Sequence, residues 1–385
     1  MQKHRAVVLF ALLVASTIGL FVAGVPAGTA QEPERTRAIA PPVASLPLEA
    51  ESRNVTRFSF AVYGDTRGRQ DGVAIQREHS LVVESMLAEI KRLHDTQYPV
   101  RFVLQSGDAV VNGADAHQWN TSFVPLVNRL TTEGGVPYFP VAGNHDVTPA
   151  LTSDAPGRQA GLRNFFDAMS AMIPPNGSPR RLSGYPAYAV AYGNTFVLAL
   201  DSNIAGDEKQ YQWAKDQLEG LDRRRYVNVI AIFHHPPFSS GPHGGNNVEP
   251  PTAALRSRYM PLFRTHHVRA VFSGHDHLFE HWVERYTDET GPHRMDLIVS
   301  GGGGAPLYAY QGEPNLAEYL KANESNKVTL EHLVKPGVEP GSSPYHFLIV
   351  RVDNDRLDME VHGVDAGSSF RPYPAGTVEL WDRPR

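Results

Sequence analysis

Apolar residues along this chain come in short runs that stop at glycine followed by an acid, an amide or an imidazole. In 57–63, Phe58, Phe60 and Val62 alternate with Arg57, Ser59 and Ala61, the period of a strand, and the run ends in Gly64-Asp65-Thr66-Arg67. The ending recurs. Residues 100–105 lead into Ser106-Gly107-Asp108, 136–141 into Ala142-Gly143-Asn144-His145-Asp146, and 195–200 into Asp201. Residues 227–233 lead into His234-His235-Pro236-Pro237, 268–272 into Ser273-Gly274-His275-Asp276-His277, and 295–300 into Gly301-Gly302-Gly303-Gly304. Between them, 74–94 carries Ile75, Val82, Met86, Ile90 and Leu93 at helical spacing, and 117–130, 208–223 and 252–265 read as further helices. Strands alternating with helices, with polar residues at the carboxyl ends of the strands, predict an α/β fold whose site lies above those ends. The tips share one rim.

The two ends of the chain depart from this rhythm. Residues 345–352 and 356–364 alternate apolar and polar around Asp353-Asn354-Asp355, a hairpin too small to stand alone and so expected as added strands of the same body. Residues 31–55 are rich in Pro, Glu, Arg and Ala without a period and are expected to be a flexible lead-in, leaving 56–385 as a single catalytic domain. At the start, Lys3 and Arg5 precede an almost uncharged run from Ala6 to Val25, and Gly28-Thr29-Ala30 offers small residues before a polar stretch. That is the layout of a secretory signal peptide over 1–30, cleaved after Ala30 to give a secreted or periplasmic protein without a stable membrane span. The competing reading is an uncleaved membrane anchor, because the apolar run approaches spanning length.

Composition narrows the chemistry. The 385 residues are 41% hydrophobic and 20% charged, with a net charge of -5, which is ordinary globular material without a footprint for nucleic acid. Cysteine is absent, which excludes disulfides, zinc-thiolate sites, thiol nucleophiles and lipidated cysteine. Any metal must sit on His, Asp, Asn and water. His275 and His277 stand two apart at a strand end, a spacing that points both imidazoles to one side. Collected at the tips, Asp65, Asp108, Asn144, His145, His234, His235, His275 and His277 suit Mn, Fe or Zn. The quadruple glycine at Gly301 is followed by Ala305-Pro306, which opens a helix poorly, so a tight turn is expected there in place of a nucleotide loop.

Gly64-Asp65, Gly107-Asp108, Gly143-Asn144-His145-Asp146, Phe233-His234-His235-Pro236 and Gly274-His275-Asp276-His277 together resemble, in order and spacing, the calcineurin-like metallophosphoesterases, from about Phe58 to the C-terminal strands. The resemblance implies a two-sheet β-sandwich flanked by helices and a dinuclear metal centre. Asp108 would bridge both metals. Asn144, His234 and His275 would complete one site, while Asp65 and His277 hold the other. His145 would be the catalytic histidine, with Asp146 orienting it. Phe238, Ser240 and His243 make the purple acid phosphatases the most similar branch, with His243 a candidate contact to phosphate or leaving group, or else an idle histidine in a mobile Gly241-Pro242-His243-Gly244-Gly245 loop.

Two positions depart from the resemblance. Arg67 stands where many relatives have a histidine, and Val111 stands where the purple branch has a tyrosine, so the first metal site lacks an expected ligand. Arg67 would contact a phosphate oxygen or pair with a neighbouring carboxylate. Asn112 could supply an oxygen but reads as a turn residue before Gly113. His79, His94, His117, His266, His267 and His332 read as surface or core histidines. His235 could support a ligand, Asp201 could support a ligand histidine or equally serve as a structural cap, and His281 could line the pocket. The expected activity is hydrolysis of small phosphoric esters, foremost monoesters, by a metal-bound hydroxide. A phosphodiesterase on the same site and a non-catalytic binding protein are the alternatives.

Overall fold

The computed structural model describes residues 34–68, 76–244, 248–364 and 370–380, and the expected signal segment lies outside them. In chain order the strands are β1 (Arg57–Tyr63), β2 (Val100–Gln105), β3 (Tyr138–Pro140), β4 (Tyr188–Tyr192), β5 (Thr195–Ala199), β6 (Asn228–Ile232) and β7 (Ala270–Ser273). There follow β8 (Phe279–Asp288), β9 (Gly291–Ser300), β10 (Thr329–Val334), β11 (His346–Asp353), β12 (Arg356–Gly363) and β13 (Thr377–Leu380). They form two mixed sheets, ordered β13-β12-β11-β1-β2-β3 and β10-β8-β9-β7-β6-β5-β4. β1, β2 and β3 run parallel in the first, and β5, β6, β7 and β9 in the second. The expected sandwich flanked by helices is what forms.

Side-chain alternation builds the layers. Val197, Ala199, Ile230, Ile232, Ala270, Phe272 and Ile298 of the second sheet join Phe58, Phe60 and Val62 of the first in one core. Their neighbours Phe196, Leu198, Val229, Ala231, Val271 and Leu297 face a second core with Ala214, Leu218, Tyr259 and Phe263 from the helices outside. Covered on both faces, these parallel strands read as continuous apolar runs. Phe60 meets Phe272 across the sandwich edge to face, at 6.3 Å between ring centres. On the first sheet, the helix Arg77–Leu93 buries Val82, Met86, Ile90 and Leu93.

Several elements differ from the sequence reading. β8 and β10 escape it because β8 buries polar residues, so no apolar period shows. Glu280 accepts the Ser240 hydroxyl at 2.7 Å, His281 meets Asp296 at 2.7 Å, and Glu284 pairs with Arg264 at 2.8 Å. β4, β13 and the helix Gln159–Met169 were also absent from it. The helices expected over 117–130 and 252–265 each contain a wider turn, Trp119–Phe123 and Leu255–Tyr259. Asp201, read as either a support for a ligand histidine or a structural cap, caps the turn Ser202–Ile204 and forms a buried ion pair with Arg158.

The lead-in requires the largest correction. From Arg35 onward the chain is held, not flexible. Ile39 is fully buried, its amide donating to Ala168 O at 2.9 Å. Arg37 N and Ala40 N donate to the side chains of Asn120 and Asn128, each at 2.7 Å, and Glu49 binds Arg180 at 3.0 Å. An extended strap satisfied by distant side chains has no period of its own to read. Ile39→Ala should lower unfolding free energy by about 2–4 kcal/mol in urea denaturation. An unchanged midpoint would mean that the strap adds nothing to the core.

Candidate metal centre

The parallel strands of both sheets deliver their carboxyl ends to one seam. Asp65, Asp108 and His275 each leave their strand in the left-handed region, at φ 60°, 57° and 70°. Such backbone is uncommon outside glycine, costs about 1 kcal/mol or more, and persists where neighbours over-determine it. Here the turns hold each other. Asp65 N donates to Gly107 O at 2.9 Å, Thr66 N to Asp108 O at 3.0 Å, and Ala305 N to Asp65 O at 2.8 Å. The glycines before these residues permit the approach: a Cβ on Gly107 would lie 2.8 Å from Gly143 Cα, and one on Gly274 would overlap the Asp65 carboxylate.

In this seam each imidazole has one nitrogen fixed and the other turned inward. His234 Nδ1 donates to Ser106 O at 2.9 Å, His277 Nδ1 to Pro306 O at 2.7 Å, and His275 Nε2 to Glu249 at 3.0 Å. The inward nitrogens therefore present lone pairs. His234 Nε2 nevertheless faces Asn144 Oδ1 at 2.8 Å, His275 Nδ1 at 3.0 Å and Asp108 Oδ1 at 3.4 Å. His277 Nε2 faces Asp65 Oδ1 at 3.5 Å. Acceptors gathered around acceptors are the donor set a cation requires, and oxygen with imidazole nitrogen suits zinc, manganese or iron. Burial lowers His234 to a pKa of about 4 and His277 to about 3, keeping both neutral and able to ligate. Burial and the adjacent Asp108 push the Asp65 carboxyl well above its usual range, a cost that positive charge at this point relieves.

Arg67, His145 and His243, singled out from sequence, lie beside this cluster. Arg67 Nε is 3.7 Å from Asp108 Oδ2, so the guanidinium stands against the carboxylate at the position of the missing ligand. His145 donates from Nδ1 to Val111 O at 2.8 Å and holds Nε2 4.0 Å from Asp108 Oδ2, with a third of its side chain exposed. The His243 ring lies 4.3 Å from that of His275. The expected contact between Asp146 and the His145 ring does not form. Asp146 is buried and accepts from the amides of Ala109, Val110 and Gly143, at 2.8, 3.2 and 2.9 Å. It fixes the backbone that carries Val111, and the Val111 carbonyl orients His145. His281 does not line this seam; it is buried between Asp296 and Tyr373.

Glu249 was missed. It takes His275 Nε2 on one oxygen and His243 Nδ1 on the other, at 3.0 and 2.9 Å, tying a candidate ligand to a candidate substrate contact. Burial would raise this carboxyl, but its bonds to His243 and His275 outweigh burial and hold it below the usual carboxylate range. Its bond is also the largest cause that raises the pKa of His243. Nothing periodic marks Glu249 in the sequence, where the one cue is an acid placed after a histidine-bearing glycine loop and before Pro250-Pro251. Tyr308, stacked on His277 at 4.2 Å, was likewise unmarked.

Two mixed sheets bring the ends of their parallel strands to a carboxylate–imidazole cluster whose groups are suited to hold metal ions. The calcineurin-like phosphoesterase family model matches residues 58–279, more than half of the chain, and the protein belongs to that family. Among curated relatives it is 26% identical over 224 residues to purple acid phosphatase 22 of Arabidopsis thaliana, covering 56% of this chain and 46% of that one. It is 34% identical over 101 residues to tartrate-resistant acid phosphatase type 5 of Sus scrofa, 26% of this chain and 25% of the other. The chain thus spans about half the length, or less, of these relatives. In fold it is similar to the purple acid phosphatase PPD1 of yellow lupin, at TM-score 0.56 and 17% identity over 82% of this chain and 53% of that one.

Removing the Glu249 carboxylate should loosen the centre. Glu249→Gln should weaken metal binding by about 10–100-fold in a competitive chelator titration, the usual cost of losing a group that orients a ligand. Unchanged affinity would show that His275 is held by its own turn alone.

Proposed function

We propose that this enzyme hydrolyses phosphate monoesters and acts after export from the cytoplasm. The observation that carries the monoester reading is the set of donors beside the cluster. Arg67 and His145 stand beside Asp108, and His243 beside His275. A monoester dianion brings three free oxygens and two charges, and a set of cationic or protonated donors suits it better than a diester monoanion. The phosphatase names of the relatives support the same reading. Export rests on the apolar run and small residues within 1–30.

The residues that would hold two metal ions are Asp65 and His277 on one side, Asn144, His234 and His275 on the other, and Asp108 between them. When bound, the metals supply Lewis acidity toward phosphoryl oxygens and toward water. The chain's own groups do the rest. Val111 O holds a proton on His145 Nδ1, which sets Nε2 to carry the proton that the leaving oxygen takes. The bond to Glu249 raises the pKa of His243 and so favours its protonated form. Arg67, drawn in by Asp108, presents nitrogens to a phosphate oxygen in a geometry guanidinium suits. With Arg67 and Val111 at positions where relatives carry ligands, the Asp65–His277 side has fewer protein ligands and should be the looser of the two.

The test is turnover of p-nitrophenyl phosphate against bis-p-nitrophenyl phosphate by the protein stripped of metal and resupplied with Mn, Zn or Fe. Faster monoester turnover is expected, with Asp108→Asn inactive yet folded by circular dichroism. Faster diester turnover would overturn the monoester reading, and an active Asp108→Asn protein would overturn the bridging role of Asp108. The iron-loaded protein should also show no intense visible absorption, because Val111 offers no phenolate for charge transfer. A purple colour would mean that a tyrosine such as Tyr308 reaches the iron.

A further inference from the structure

Beside the metal cluster opens a cavity of about 650 Å³ that shares Asn144, His235 and Glu249 with it. Its walls come from three segments: Pro149, Ala150 and Leu151, a few residues after Asn144 and His145; Asn203, Ala205 and Gly206; and the short helix Pro250–Ala254 that follows Glu249. Among the described residues that line it there is no lysine or arginine, and Glu249 is the sole acid. Leu151 is 85% exposed, the most exposed large apolar side chain among the described residues, and it stands at this wall.

The walls are preformed. Ala150 N donates to Asn203 O at 3.1 Å and the Thr252 hydroxyl to Pro236 O at 3.1 Å, while the prolines limit backbone freedom. Gly206 lines the cavity, and a Cβ added there meets nothing within 4 Å. A second phosphate or a carboxylate entering here would meet the Glu249 carboxylate, and no lysine or arginine lines the cavity to hold it. An uncharged hydrocarbon group would cover Leu151 and the proline faces without any such cost.

We infer that this cavity receives the organic group of the ester, and that the enzyme prefers phosphate esters of uncharged, apolar alcohols. This rests on the phosphoesterase reading of the adjoining cluster and names the substrate class for it. It predicts discrimination against nucleoside di- and triphosphates, sugar bisphosphates and polyphosphates, whose remaining charges would lie against Glu249.

A series of n-alkyl phosphates tests it, because the leaving alcohols have similar acidity and differ in apolar surface alone. On the full chain supplied with Mn, kcat/KM should rise about tenfold or more from ethyl to hexyl phosphate. Leu151→Asp, at an exposed position, and Gly206→Phe, which fills open space, should each cut that ratio to under about threefold. A flat series in a protein that does hydrolyse ethyl phosphate would overturn the apolar cavity and leave the phosphoesterase reading standing. If no phosphate ester is hydrolysed with any metal, the phosphoesterase reading fails. The cavity is then decided by calorimetry with hexylphosphonate and ethylphosphonate: about tenfold tighter binding of the hexyl compound, lost in Leu151→Asp, supports it, and equal affinities overturn it.

Discussion

The structure depends on burying carboxylates at the seam between two sheets. Asp65, Asp108, Asp146 and Asp276 are almost inaccessible to solvent and lie at the tips of parallel strands or directly after them. A buried carboxylate costs several kcal/mol unless it is paired or fully hydrogen-bonded. Each solution ties one part of the fold to another. The Asp65 carboxylate accepts the His275 amide across the sheets, Asp146 gathers three amides from two loops, and Arg67 stands against Asp108. The left-handed turns at Asp65, Asp108 and His275 follow from that arrangement, since other backbone would aim these groups away from the common point.

From this constraint the chemistry divides between the two sides of the seam. Imidazoles arrive mainly from the second sheet, each with its outer nitrogen held by a carbonyl or by Glu249, so the inner lone pairs converge without freedom to rotate. Oxygen ligands arrive from the first. Such preorganisation lets a metal centre act without reorganising around each substrate. His145 and His243 are the partly exposed imidazoles beside the cluster, and each is set by an acceptor behind it. Beyond the cluster, proline and alanine walls carry the site from charged to apolar within one cavity.

The blocks that carry chemistry were legible because each lies within a few residues of a strand end. Gly64-Asp65, Gly107-Asp108 and Gly274-His275 each record a local necessity: a sharp turn, then a ligand. The alternation of strand and helix gave the fold class for the same reason. Glu249 was not legible, since its two partners His243 and His275 lie six and twenty-six residues away in a chain that shows no period between them. Asp146 was placed correctly but given the wrong partner, because adjacency to His145 in sequence says nothing about which way an aspartate turns. The strap at 35–55 and strand β8 were hidden by polar composition, their stability resting on side chains elsewhere in the chain.

The sequence by itself determined the family, the α/β layering and the carboxylates, amide and imidazoles gathered at the strand tips, all of which follow from local period and from residues fixed to strand ends. Only the tertiary structure decided how those groups are held: which nitrogen of each histidine turns inward, that Val111 and Glu249 orient His145, His243 and His275, and that an apolar cavity adjoins the cluster. These are contacts between distant segments. They are set by the packing of two sheets against each other, which no local pattern of hydrophobic and polar residues encodes.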